Sequence, residues 1–219
     1  MSIERLIALQ VDNDLKGLDM EQERGRFAAL ASRHEDGTAP RAVAAFNLFQ
    51  TPEHIAAQLV ALVSPRLRVG ARILEPSAGL GRLFRPLWSA LGNAGEYVLI
   101  DQSADCVKEL YRQTEDCEGV TLRTGDFLAM DKGDLGGAFD VICMNPPFKM
   151  WRDIKHINHA RAMLADGGIL AALCANGPRQ REHLRPLCTT WEELPERSFK
   201  SEGTGVSVAL LTIHNTQEG

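Results

Sequence analysis

None of the five cysteines (Cys106, Cys117, Cys143, Cys174, Cys188) stands in a Cys-x-x-Cys pair, which argues against a structural zinc site and against a disulfide scaffold. They read as reduced thiols, and no metal is expected. Cys143 lies inside an apolar strand-like run, so a buried filler is the expectation there rather than a nucleophile. No apolar run is long enough to cross a bilayer. The start Met1-Ser-Ile-Glu-Arg5 lacks the basic-then-apolar order of a secretory signal, so a cytoplasmic chain without membrane contact is expected. Positive charge is not in excess: 24 Lys and Arg against 29 Asp and Glu leave a net charge of −5. That balance counts against a strong nucleic-acid binder, which usually carries a basic stripe. Basic residues do gather in two stretches, Arg66, Arg68, Arg72, Arg82 and Arg85, then Lys149, Arg152, Lys155 and Arg179 to Arg185. They form either a basic rim or ordinary solvated faces.

What is present is a chain of 219 residues with 44% hydrophobic residues in strand-length runs, enough for one sizeable α/β core. Residues 1–48 read as a helical extension, with Ile3, Leu6 and Ile7 and then Phe27, Leu30 and Ala31 at helical spacing. Residues 49–219 alternate strand and helix. Thr51-Pro52 predicts a helix start, with Thr at the cap and Pro at the first helical position. Strands are expected over 72–75, 97–101, 120–124, 141–144 and 169–174. A long run over 206–213 and a shorter strand near 191–199 could close an antiparallel hairpin. Strands separated by helices imply right-handed crossovers and a mostly parallel, doubly wound sheet, with its ligand crevice at the carboxyl ends of the strands.

Glu75, Asp101, Asp126 and Asn145 all fall at or just after such ends. After the first strand runs Glu75-Pro76-Ser77-Ala78-Gly79-Leu80-Gly81, and the third glycine of a dinucleotide fingerprint is missing. A pyrophosphate is therefore disfavoured, whereas a zwitterionic amino-acid end suits a loop with Glu75 beside free N–H groups. Asp101, about twenty residues on, is placed to accept from two ribose hydroxyls. Asp126 and Phe127 offer a carboxylate and a ring to an adenine. Each of these acids also fits a helix cap. Asn145-Pro146-Pro147-Phe148 follows the fourth strand. The Asn145 oxygen and the Pro146 carbonyl can accept the hydrogens of a planar amino group, turning its lone pair toward an electrophile. The prolines hold that carbonyl in place, and Phe148 offers a face to an extruded base.

These motifs resemble those of class I S-adenosylmethionine-dependent methyltransferases, a Rossmann-like fold with a mostly parallel seven-stranded sheet. Among them, Phe49-Gln-Thr51-Pro and Asn-Pro-Pro-Phe resemble the N6-adenine DNA methyltransferases of restriction-modification systems, in order over roughly 49–213. The resemblance implies S-adenosylmethionine as cofactor, a role for Thr51 on the methionine carboxylate, a catalytic domain over 49–219, and DNA as partner. Only about seventy residues follow Phe148, short of a target-recognition domain, so a separate specificity partner is one expectation. Ribosomal RNA amino groups or a protein glutamine are alternative substrates. A catalytically silent binding or antirestriction module is the alternative of another class.

Overall fold

The computed structural model describes residues 50–196, 198–199 and 206–215. Phe49 and the extension expected over 1–48 lie outside the described residues.

The strands are β1 (Arg72–Pro76), β2 (Glu96–Asp101), β3 (Val120–Thr124), β4 (Phe139–Met144), β5 (Leu164–Ala175), β6 (Thr190–Glu193) and β7 (Val208–His214). They form one sheet in the order β3-β2-β1-β4-β5-β7-β6. The first five run parallel, and β7 pairs antiparallel with both β5 and β6. This is the expected mostly parallel seven-stranded sheet with a carboxyl-terminal antiparallel hairpin. The helices are α1 (Glu53–Val63), α2 (Phe84–Leu91), α3 (Ala104–Thr114), α4 (Arg152–Arg161) and α5 (Pro178–His183).

Helices cover both faces, so the central strands are near-continuous apolar runs rather than alternating ones. Period two still sorts their side chains. Ile73, Val141, Cys143, Ala171 and Leu173 pack on one face with Leu59 and Val63 of α1 and Leu87 of α2. Leu74, Ile142, Met144, Leu170 and Ala172 pack on the other with Ile157 and Ala160 of α4. Leu59 and Val63 are fully buried, and each contributes about 1.5–3 kcal/mol relative to exposure. Cys143 is buried as expected of a filler, and burial, then the neighbouring Glu75, pushes its thiol far above the ordinary range.

Two local expectations change. Helix α1 begins one residue later than expected, with Pro52 at the cap and its carbonyl taking the Ile55 and Ala56 N–H groups. Pro52 is the cap because its ψ of 144° is extended, and the Thr51 hydroxyl instead accepts from the Asn145 amide. Strand β5 starts at Leu164 rather than 169, since Leu164 pairs with Phe139 before a register shift and the ladder resumes at Ile169.

Candidate active site

The carboxyl ends of β1, β2, β3 and β4 open into one cleft, lined in part by Thr51, Glu75, Ser77 to Gly79, Asp101, Asp126, Phe127, Asn145 to Pro147 and His156. Four adjacent parallel strands end together, so four sequence-distant loops converge. That convergence follows from the strand order.

The loop after β1 is pinned by its neighbour. Ser77 and Ala78 both donate their N–H to the Ile100 carbonyl at 2.8 Å, and Gly79 donates to Asp101 Oδ2 at 2.8 Å. Three residues there have positive φ: Ser77 at 85°, Gly79 at 54° and Gly81 at 75°. Glycine takes such angles without penalty, while Ser77 does so at a cost. Pro76 closes β1 and is buried, and it lies outside the cleft lining. Gly81 also sits off the cleft: a Cβ there would meet Leu110 Cδ2 at 3.1 Å, so this glycine lets α3 pack closely rather than admitting a ligand. The cleft lining does not include Gly81, so its cofactor role stays an expectation of the motif.

Glu75 is only 2% exposed. The backbone N–H groups of Leu83 and Phe84 at the start of α2 lie beside its carboxylate, and its Oε2 has no hydrogen-bond partner among the described residues. Burial raises its pKa well above the usual carboxylate value; Asp101 raises it further, and the two N–H groups offset part of the rise. Asp101 accepts from Gly79 through one oxygen and from Ser103, the cap of α3, through the other at 2.8 Å. Each oxygen keeps a further acceptor site.

Asp126 is exposed, caps a short 3-10 turn by accepting the Leu128 N–H at 3.1 Å, and lies 3.6 Å from Arg152. The cap use foreseen for the acids thus holds at Asp126. Phe127 is buried and meets His159 edge-on at 4.8 Å between ring centroids.

Past β4, Asn145 Nδ2 donates to Thr51 Oγ1 at 3.0 Å, bringing together two residues 94 positions apart. Phe148 departs from expectation. It is half-buried against the core face shared with α1 and is not part of the cleft lining. The chain then takes left-handed backbone at Met150 (φ 53°) and Trp151 (φ 58°), both exposed. Of the basic residues, Arg82, Lys149 and Arg152 line the cleft. Arg68 and Arg72 instead pair with Asp140 and Glu96 at the opposite, amino ends of the strands.

His156 was not foreseen. It lines the cleft from α4, is 3% exposed, and neither ring nitrogen has a hydrogen-bond partner among the described residues. Burial lowers its pKa to about 4; Arg152 and His159 also lower it, and Asp126 opposes them. The signal was available: the buried face of α4 is Asp153, His156, Ile157 and Ala160. Two polar residues at core-facing helical spacing need a reason. For Asp153 it is the Ala175 N–H and the Gln180 amide, which tie α4 to β5 and α5.

No protein-family profile matches the sequence, and no curated protein matches it. Solved structures do match. The methyltransferase subunit of a type I restriction-modification system from Streptococcus thermophilus superposes with TM-score 0.67 at 17% identity, over 78% of this chain and 45% of that one. TrmN from Thermus thermophilus gives 0.60 at 18%, over 74% of this chain and 48% of that one. A Pyrococcus horikoshii protein assigned as an RNA methyltransferase gives 0.59 at 17%, over 77% and 87%. The chain spans about half the length of the first two. At these identities the likeness is one of fold: the chain has the Rossmann-like fold of class I methyltransferases.

Proposed function

We propose that this chain is an S-adenosylmethionine-dependent methyltransferase acting on the exocyclic N6 of adenine in DNA. The observation that carries the reading is the placement of Asn145-Pro146-Pro147 at the end of β4, with the Asn145 amide held by Thr51, in the same cleft as Glu75 and Asp101.

The residues fit the cofactor. A buried carboxylate without a cation is unfavourable, and the Glu75 Oε2 atom is suited to the ammonium of an amino-acid end. Asp101 has acceptor sites left for ribose hydroxyls, and the Ser77 to Gly79 backbone lines the cleft between them. Thr51 is buried beside Asn145, where it can serve both that amide and a carboxylate. When bound, S-adenosylmethionine supplies an electrophilic methyl group on a sulfonium.

The chain's own part is positioning. An adenine amino group is a weak nucleophile because its lone pair is delocalised into the ring. Accepting its hydrogens at the Asn145 oxygen and the Pro146 carbonyl draws the lone pair out of conjugation as the new bond forms. Neither proline has an N–H, so no ladder bond draws this backbone back into the sheet. With Thr51 fixing the amide nitrogen, Asn145 is oriented before reaction, and that saves reorganisation.

A second reading is an RNA base amino group. It is favoured by the likeness to the Pyrococcus horikoshii protein assigned as an RNA methyltransferase, of which the match covers 87%, against 45% of the restriction-modification subunit. Transfer of labelled methyl groups to unmethylated DNA, RNA and protein in parallel separates the two. N6-methyladenine in DNA is expected. Label confined to RNA moves the assignment to the second reading, and label confined to protein removes both.

A further inference from the structure

Five large hydrophobic side chains are exposed among the described residues, and two of them, Met150 (79%) and Trp151 (50%), are adjacent. They sit between Lys149 and Arg152, and Lys149, Met150 and Arg152 all line the cleft, so Trp151 is flanked in the chain by residues of the lining without being part of it. Both residues carry left-handed backbone, an unfavourable state for a residue with a Cβ, which here turns two apolar side chains outward. The Arg179 guanidinium, from α5, lies 3.6 Å from the centroid of the Trp151 ring. Among the described residues no carboxylate forms an ion pair with Arg179. An aromatic flanked by cations and half open to solvent combines the two elements that hold an unpaired nucleic-acid strand, a stacking face and phosphate-directed charge.

Phe148, the aromatic that the motif nominates for this task, is packed against the core instead. We infer that Trp151, with Arg179 on one face of its ring, is the platform on which an unpaired base of the substrate strand stacks as adenine enters the cleft. The arrangement answers a difficulty in the composition. With a net charge of −5 the chain as a whole is a poor polyanion binder, so contact has to be concentrated locally. Lys149, Lys155 and Arg179 place three cations on the two segments that meet at Trp151, and Arg152, 3.6 Å from Asp126, adds a partly neutralised fourth.

This inference rests on the nucleic-acid reading of the cleft, and the test keeps the two apart. The full chain, wild type and variants, is titrated into fluorescently labelled single-stranded DNA and RNA oligonucleotides containing adenine. S-adenosylmethionine affinity is measured separately by calorimetry. Trp151→Ala is expected to weaken oligonucleotide binding by about 5- to 150-fold, the range for losing one base–aromatic stack. Trp151→Phe should restore most of that loss, Phe148→Ala should cost less than Trp151→Ala, and cofactor affinity should hold in both Trp151 variants. A well-folded Trp151→Ala chain with wild-type oligonucleotide affinity overturns the platform alone, as does a larger loss in Phe148→Ala. A wild-type chain that binds cofactor but neither oligonucleotide overturns the platform together with the nucleic-acid reading.

Discussion

At the amino ends of the strands, Arg72 donates to the Ala138 carbonyl at 2.9 Å and the Leu135 carbonyl at 2.8 Å, pairs with Glu96, and stacks over Phe139. Its own N–H goes to Asp140, whose other oxygen takes Arg68. At the carboxyl ends, the buried Glu75 Oε2 and both nitrogens of buried His156 have no partner among the described residues. Backbone conformation divides the same way. The loops entering β1 to β4 give their positive φ angles to glycines: Gly70, Gly92, Gly119, Gly136 and Gly137. Among the described residues, the three other than glycine with positive φ, Ser77, Met150 and Trp151, all lie in loops leaving β1 and β4. In the loops that enter β1 to β4 strain is avoided, and of the buried atoms without a partner among the described residues Trp191 Nε1, in β6, lies away from the cleft. Glu75 Oε2, the His156 nitrogens and the strained residues collect at the other end, as expected where a ligand completes the structure.

The largest expected effect tests the carboxyl end by its chemistry. Asn145→Ala should lower kcat by about a hundredfold or more, the loss of one preorganised polar group, with cofactor affinity and folding little changed. Asn145→Asp, which keeps an acceptor oxygen, should retain more activity than the alanine variant. Single-turnover methyl transfer decides it, and a wild-type rate for Asn145→Ala would erase the functional side of the comparison. The amino end is tested by stability. Arg72→Ala leaves two carbonyls and Glu96 without their cation and should cost about 2 kcal/mol in urea unfolding, the scale of charged hydrogen bonds. Cofactor affinity should be unaffected in the folded fraction. A loss of cofactor binding without destabilisation would show that the two ends are not divided as argued.

The same division separates what the sequence revealed from what it concealed. Strands β1, β2 and β4 were legible as apolar runs bounded by turn residues, and β3, an edge strand of Val, Thr and Leu with Arg123, was legible from its β-branched residues between turns and was expected over the residues it occupies, Val120–Thr124. The placement of Glu75, Asp101, Asp126 and Asn145 at strand ends followed from the alternation of elements. What each group touches did not follow, because those partners are tertiary. Gly81 serves the approach of Leu110 on α3, twenty-nine positions away. Strand β5 extends across Gly167 and Gly168 because β4 offers Phe139 as a partner for Leu164, although local propensity argues against two glycines in a strand. Phe148 and Trp151 are three residues apart, and nothing local to either says which turns inward. That choice is made by two left-handed residues between the prolines and α4, a conformation their side chains disfavour.

Glu75 gives a smaller effect with opposite signs for folding and binding. Its native pKa is raised well above the usual carboxylate value by burial. Between the unfolded and native pKa values the native state therefore holds more protons than the unfolded one, and stability falls as pH rises through that window. Without cofactor, wild-type stability should decline with pH upward from about 4.5, and Glu75→Gln should remove that part of the decline and be more stable at neutral pH. The same variant should bind S-adenosylmethionine more weakly by about 1.5 kcal/mol, the lower end for a charged hydrogen bond. Urea unfolding at several pH values, paired with calorimetric titration, measures both. A variant that is less stable and binds normally would make Glu75 a structural group like Arg72.

The smallest effect concerns the strain itself. Met150 is 79% exposed, so truncating its side chain forfeits little packing, and its backbone sits at φ 53°, ψ 36°. A residue with a Cβ pays about 1–2 kcal/mol in that region. Glycine escapes the penalty but loses about 0.5–1 kcal/mol through the added freedom of its unfolded chain. The balance favours glycine, so Met150→Gly should stabilise the protein by about 0.5 kcal/mol. Ala57→Gly supplies the contrast. Ala57 is also exposed, but it lies within α1 and carries no such strain, so glycine there should cost about 1 kcal/mol. The two substitutions introduce the same residue at exposed positions and should shift the urea midpoint in opposite directions. If Met150→Gly instead destabilises as much as Ala57→Gly does, the left-handed turn after the prolines carries no strain. The outward Trp151 would then need no ligand to account for its conformation.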